Sequence, residues 1–453
     1  MADNNAATPA KYDPHAAHQQ RPRLRPIRGF QAQGQGPDGQ AMPILGLADA
    51  RQISEKVVFT MPAAQAILPL MDGSRGLDDI VSQVGRGLTR PILEQLVAQL
   101  DDAALIEGPG FETLLKKSRD DYDANPILPP ASSAAFADMV VDGAYGGQGK
   151  ATEDQKTNEG AKKVRELFDQ WMAQVLKDAP DPSFDRLPAA IMAPHIDYGR
   201  GWMNYASVYG RMRVCDRPDR VVVLGTNHFG MGTGVVGCDK GYQTPMGVCE
   251  LDQELASSLR FALGDKLFEH RYDHEREHSI ELHMMWVQHV FGKDAAGNYP
   301  KVFGALVHDP MVNGGESYDG HGVGLEAFVA ALKSATAKLP GKTLFISSAD
   351  LSHCGPAFGD ERPLTGEDEE VTNLRNGILQ HDMQMLELVQ KNKPADLIGA
   401  MSWQQNHTRW CSLGNICATL KTVEPKEIKL INFAAAMDQQ GVTLVSHAAM
   451  AMW

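Results

Sequence analysis

An α/β domain, one sheet covered by helices, is the architecture that this sequence predicts, and three observations carry it. From residue 161 onward, short apolar runs alternate with segments of helical periodicity, the pattern of strands separated by crossover helices. Three of those runs end in a polar cluster that contains histidine, and the strand ends of open α/β sheets are where ligands collect. Hydrophobic residues make up 43% of the 453, enough for a substantial core.

Taken in order, residues 1–26 are rich in Ala, Asn, His, Gln, Pro and Arg and lack the apolar stretch of roughly 7 to 15 residues that a signal peptide needs. They read as a disordered tail. Residues 27–116 read as a small helical module with short strands. Val57-Val58-Phe59 is strand-like, residues 63–71 look helical and end at the turn pair Asp72-Gly73, and Leu77 starts a further helix. Thr89 with Pro91 opens the next helix, in which Ile92, Leu93, Leu96, Val97, Leu100 and Leu105 recur at helical spacing. Residues 117–160 read as a linker, with Pro126, Pro129, Pro130, Ser132-Ser133 and Gly143, Gly146, Gly147 and Gly149 in a charged background. The large domain, 161–453, opens on a helix striped by Val164, Leu167, Phe168, Trp171, Met172 and Val175. Strands at 189–192, 220–224, 302–307, 344–347 and 428–433 follow.

A net charge of −14 offers nucleic acid or an anionic membrane no general attraction, and Arg21, Arg23, Arg25 and Arg28 are too few to reverse that. No segment reaches the ~18 uninterrupted apolar residues of a membrane span. Six cysteines without a CxxC pair fit reduced thiols and a cytoplasmic location. The expected partner is a small molecule or another protein.

The strand-end clusters carry the chemistry. His195 lies in Ala193-Pro194-His195-Ile196-Asp197-Tyr198-Gly199, His228 in Leu224-Gly225-Thr226-Asn227-His228-Phe229-Gly230, and Asp350 and His353 in Ser347-Ser348-Ala349-Asp350-Leu351-Ser352-His353-Cys354-Gly355. Neutral imidazoles bind divalent iron, zinc or copper, and two on neighbouring strand ends can face one ion. Asp197 and Asp350 are candidate acceptors for their second nitrogens. His353 is the candidate general acid or base, with Asp350 to orient it, or else a hydrogen-bonding residue behind the site. Helical geometry puts His278 and Glu281 on one side, whereas His278 and His283 stand about 140° apart and so do not form an HExxH pair. His278, Glu281 and His283 are assigned to the pocket wall or, equally, to capping and packing. Cys411 reads from its residues alone as a structural thiol before a helix, Cys417 reads as core, and Cys354 is open.

His195-Ile196-Asp197-Tyr198 after Ala-Pro, the Leu-Gly-x-x-His turn, Tyr242-Gln243-Thr244-Pro245, Glu277-His278-Ser279-Ile280-Glu281-Leu282-His283 and Ser348-Ala349-Asp350-Leu351-Ser352-His353 stand in Memo family order. Over residues 185–425 the chain resembles the bacterial Memo-like proteins called AmmeMemoRadiSam system protein B. The resemblance implies a central mixed sheet flanked by helices, similar to the class III extradiol dioxygenases. It implies a metal, Fe(2+) first and Zn(2+) or Cu as alternatives, on His195, His228 and Cys411, with Asp350 and His353 adjoining and Asp197 and Tyr198 in the pocket. Asp197, Phe229, Cys354 and Gly414-Asn415 depart from the family's usual residues, which bears on substrate more than on metal. The implied function is a non-haem iron oxidoreductase acting with dioxygen on a phenolic or catechol-like group. A zinc-dependent hydrolase, or a non-catalytic peptide- or protein-binding partner in a radical-SAM-associated modification system, are the alternatives. The stretch Met71-Asp72-Gly73-Ser74-Arg75-Gly76-Leu77-Asp78-Asp79-Ile80 resembles the PqqD-like winged-helix peptide-binding modules.

Overall fold

The computed structural model describes residues 10–35, 40–85 and 87–453 and divides into two units, Met1–Asn125 and Pro126–Trp453. In the first, α1 (Ala17–Gln20) precedes an antiparallel sheet of β1 (Ile27–Gln35), β2 (Ala41–Asp49) and β3 (Val58–Thr60), followed by α2 (Leu77–Val84), α3 (Arg90–Asp102) and α4 (Pro109–Ala124). Leu45 and Leu47 of β2 meet Leu93, Val97 and Leu100 of α3 in its core. The expected helix at 63–71 is instead two 3-10 turns, Pro62–Ala66 and Leu68–Leu70, because Pro69 has no N–H with which to continue an α-helical ladder.

Residues 10–26 do not behave as a tail. The Leu24 N–H donates to the Met71 carbonyl, and buried Arg25 pairs at 3.0 Å with Asp49, which also accepts from the Ile53 and Ser54 N–H groups. An arginine-rich composition cannot show that one guanidinium finds a buried partner. The rest of that stretch, residues 1–9, lies outside the described residues. Nor are residues 117–160 a linker. α4 runs to Ala124, and α5 (Ser132–Ala144) buries Phe136, Ala137 and Val141 before α6 (Glu153–Leu176) starts at a capping box of Thr152 and Gln155. The glycines that suggested a linker make the turn between them, with positive φ at Gly146, Gly147 and Gly149.

The second unit continues from β4 (Ile127–Leu128) and those helices through β5 (Ala190–Ala193), α7 (Tyr198–Arg211), β6 (Arg220–Thr226), β7 (Val236–Gly237), β8 (Gly241–Thr244) and β9 (Gly247–Cys249). Then come α8 (Gln253–Leu263), α9 (His278–Phe291), β10 (Lys301–Val307), α10 (Leu325–Lys338), β11 (Thr343–Ser348), β12 (Asp350–Cys354), α11 (Glu369–Gln390), α12 (Pro394–Trp403), α13 (Leu413–Val423), β13 (Ile428–Met437) and β14 (Leu444–Met452). Eight strands form a mixed sheet in the order β12-β14-β5-β11-β6-β10-β7, with β13 added on β14. Its centre, β5-β11-β6-β10, is parallel. Val222 and Leu224 of β6, Phe303 of β10 and Met192 of β5 share one apolar cluster with Leu259 of α8, Phe328 of α10, Leu386 of α11 and Ile416 of α13. α7 and α9 pack on the other face, backed by α5 and α6, so the α/β architecture is a layer of helices on each side of the sheet. No helix among the described residues is long and apolar enough to cross a membrane.

Several strands were not anticipated, β12 and β14 of the large sheet among them. β14 is buried along its whole length, yet its Leu-Val-Ser-His-Ala-Ala-Met-Ala-Met sequence has little β preference, and pairing on both edges overrides that. β12 starts two residues beyond the end of β11, inside the polar cluster, where it pairs antiparallel with β14.

Candidate metal centre

β5, β11 and β6 are neighbours in parallel register, with Ala193 beside Ser348 and Leu224 beside Ser347. His195, Asp350 and His228 therefore each stand two residues beyond the end of one of three adjacent strands, and the chain turns them onto one edge of the sheet. The fold brings together what the sequence had spread over more than 150 residues.

His195 is almost fully buried, at 1% exposure. Its backbone N–H donates to Asp350 Oδ1 (3.0 Å) and its Nδ1 lies 3.0 Å from Ser348 Oγ. The Ser348 hydroxyl spends its only proton on the Ser279 carbonyl, so it accepts from His195 Nδ1–H and leaves Nε2 with a free lone pair. Burial, reinforced by the neighbouring His228 and His278, pushes the His195 pKa well below the ordinary imidazole value and keeps the ring neutral.

Glu277 does the same for His228. Its carboxylate accepts from His228 Nδ1–H at 3.0 Å and from the His228 backbone N–H at 2.9 Å, while also capping α9 through the Ser279 N–H. The carboxylate is 1% exposed. Burial opposes its charge, but His228 outweighs this and holds Glu277 well below the usual carboxylate range. Burial likewise opposes a charged His228, and Glu277 overcomes it and raises that pKa. With Nδ1–H committed to Glu277, the second proton sits on Nε2, the one that a bound cation displaces. His278, the first residue of α9, has Nδ1 3.2 Å from the same Glu277 oxygen.

His195, His228 and His278 present ligand atoms that all lie within 4.8 Å of one another, a group that could hold a metal ion. Cys411 stands beside it, its Sγ 3.4 Å from His195 Nε2 and 3.2 Å from Ser412 Oγ. The loop bearing Cys411 is tied to β6 and β11 by Asn415, whose amide donates to Thr226 Oγ1 and to the Ser348 carbonyl. Cys354 is buried, and burial pushes its thiol up to about 12, as it does for Cys417 in the core.

Several sequence assignments change. Asp197 and Asp350 are not the imidazole acceptors; Ser348 and Glu277 are. Asp350 does not orient His353. It holds the His195 backbone, with its other oxygen 3.6 Å from His195 Nε2, whereas His353 Nδ1 faces the Leu351 and Arg409 carbonyls at 2.8 and 3.1 Å. Two carbonyls can only accept, so His353 carries its proton on Nδ1 and Nε2 is basic. Burial lowers its pKa, which favours that neutral form. Glu281 leaves the pocket wall altogether and caps the start of α5, accepting from the Ala131, Ser132 and Ser133 N–H groups at 2.9 to 3.1 Å. His283 lies deep in the helical layer, its Nδ1 2.9 Å from Tyr209 OH, and burial takes its pKa down to about 3. Asp197 caps α7 and pairs with Arg200 at the cleft.

All three imidazoles, Cys411, Asp350 and His353 open onto one cleft of about 760 Å³, whose walls include Asp197, Tyr198, Phe136, Phe229 and Phe358. Sequence reading missed Glu277 and Ser348 as partners, and also Asp273, which accepts from the Met231 and Gly232 N–H groups and so shapes the loop after His228. A side chain at Gly230 would place its Cβ 2.2 Å from Asp273 Cγ, which is why that turn takes glycine. The signal for Glu277 was its place immediately before an apolar helical run, where an acidic residue caps a helix.

Comparison with known proteins bears on the same part of the chain. The Memo-like protein family model matches residues 158–452. A MEMO1 family protein of Pyrococcus horikoshii is 25% identical over 278 residues, covering 59% of this chain and 87% of the relative. One of Methanococcoides burtonii is 28% identical over 258 residues, 56% of this chain and 82% of the relative. A third, of Desulfurococcus amylolyticus, is 28% identical over 180 residues, 39% and 58% respectively. The matched segment contains His195, His228, His278 and Cys411, and the chain belongs to the Memo family.

Proposed function

We propose that this Memo protein is a non-haem iron oxidoreductase that acts with dioxygen on a phenolic or catechol-like group of a small molecule or peptide. The observation that carries the reading is the convergence of two imidazoles whose Nδ1–H groups are fixed so that Nε2 faces the cleft, a third imidazole and a half-buried thiol at the floor of an aromatic-walled cleft. The donor set fits a divalent ion: His195 and His228 supply nitrogen ligands, Cys411 supplies a soft, strongly donating thiolate, and His278 stands as a further nitrogen donor. When bound, iron supplies the one-electron chemistry and open positions for small ligands. The chain's own residues do the rest. Phe136, Phe229 and Phe358 wall a flat aromatic substrate, and His353 Nε2 takes the phenolic proton.

The test is oxygen uptake by anaerobically prepared, iron-loaded protein given catechol. Uptake that falls ~10² to 10⁴-fold in His353→Asn, with iron content unchanged, supports the reading. A second reading, a zinc hydrolase, is favoured by the three-imidazole group, a donor set that also suits zinc. Zinc retained in preference to iron, with no oxygen uptake, would replace the first reading by the second. A role beside a radical SAM enzyme, with residues 27–116 holding its peptide, extends either reading and is tested by peptide affinity.

A further inference from the structure

A line of oxidisable rings runs away from the cleft through the layer formed by α6, α7 and α9. Tyr198, at the cleft wall, lies 5.3 Å centroid to centroid from Tyr205, which lies 5.9 Å from Trp286 with the rings 8° from parallel. Trp286 is 6.5 Å from Trp171, and Trp171 is 6.0 Å from Trp202. Trp202 is half-buried and lines a second groove, of about 360 Å³, with Gln174, Met203 and Arg211. The line thus joins two separate openings.

Aromatic packing explains clustered rings, but it does not explain their polar atoms. Trp286 is completely buried, and its Nε1–H has no hydrogen-bond partner among the described residues. Phenylalanine would leave no N–H unpaired there, so the indole carries a polar cost that a purely apolar ring avoids. Another such atom on the same helix is His283 Nε2, on the ring that faces Tyr209 OH. Tyr209 in turn stacks 5.5 Å from Trp286.

We propose that this line is an electron relay, carrying electrons from a donor at the Trp202 groove to a hydroperoxide in the metal cleft. It rests on the redox reading above. In the overall step the O–O bond breaks and the hydroperoxide takes up two electrons and two solvent protons, giving an alcohol and water. Each electron leaves the next ring along the line, and the vacancy reaching Trp202 is filled by a one-electron donor of the phenol or ascorbate class. Tyr205 OH donates to the Ile196 carbonyl and the Trp286 N–H faces no base, so neither loses its proton and neither traps the vacancy. Tyr209 does face a base. With the His283 proton on the unpartnered Nε2, Nδ1 accepts from Tyr209; loss of one electron to Trp286 makes that phenol a strong acid, which then passes its proton even to a buried imidazole and leaves a neutral tyrosyl radical.

The experiment treats iron-loaded full-length protein with hydrogen peroxide, records freeze-quenched EPR spectra, and maps oxidised tryptophan by peptide mass spectrometry. The relay predicts a tyrosyl signal that is lost in Tyr209→Phe, and oxidation at Trp202 that is lost in Trp286→Phe. Should Trp286→Phe fold poorly, Trp202→Phe, at the half-buried outer end, is expected to abolish oxidation at the groove and prolong the Tyr209 signal. Trp202 oxidation that persists in Trp286→Phe or in iron-free protein overturns the relay, as does damage confined to residues around the cleft. These last outcomes leave the redox reading standing. Iron that is not retained, or no peroxide-dependent oxidation anywhere, overturns both.

Discussion

Which nitrogen of each imidazole faces the cleft is decided by two residues that carry no ligand atom of their own, Ser348 and Glu277. Replacing Glu277 by Gln keeps the shape and removes the charge. It is expected to weaken metal binding ~10- to 100-fold, read by competition with a chromophoric chelator. Unchanged affinity would mean that the Glu277 charge does not tune His228. At this scale the two strand-end imidazoles were legible in the sequence, because both follow apolar runs at glycine-flanked turns and so can face one point together. The position of His278 among them was not, since it depends on how closely the start of α9 approaches β6. The same holds for Glu281, which looks identical in sequence whether it faces a pocket or, as here, the first N–H groups of α5.

Among elements, α13 is the one whose placement matters most for the thiol. Its second residue, Gly414, comes so close to β10 that an added Cβ would sit 2.2 Å from the His308 carbonyl oxygen. Gly414→Ala is therefore expected to cost ~1–3 kcal/mol in urea unfolding and to lower metal retention by shifting Cys411. Equal stability would show that the helix has room to yield. The parallel strands β5, β6, β10 and β11 were readable from apolar runs of the right length. β12 and β14 were not, because a short polar strand and an alanine- and methionine-rich strand are specified by the neighbours that they pair with. α5 and the first turns of α6 hid behind glycines that belong to one turn between them, while the Val164, Phe168 and Met172 stripe of α6 was legible.

For the whole molecule, every residue of the metal centre lies in Pro126–Trp453, which has its own sheet and core. A chain restricted to those residues is expected to retain the same metal stoichiometry as the full chain, measured by elemental mass spectrometry. The order of alternating elements made the α/β architecture legible, and the ordered motifs made the Memo family legible. Before residue 160, α2, α3 and β3 were legible, but the roles of residues 10–26 and 117–160 were not, since composition reports solvation and turns but not tertiary partners such as Arg25 and Asp49.

The central claim is that His195 and His228 hold a metal ion. The direct measurement is metal content after purification without oxygen, for the wild type and the His195→Ala, His228→Ala double variant. About one ion per chain in the wild type, lost in a folded double variant, is the predicted result. An ion retained stoichiometrically in that variant would contradict it.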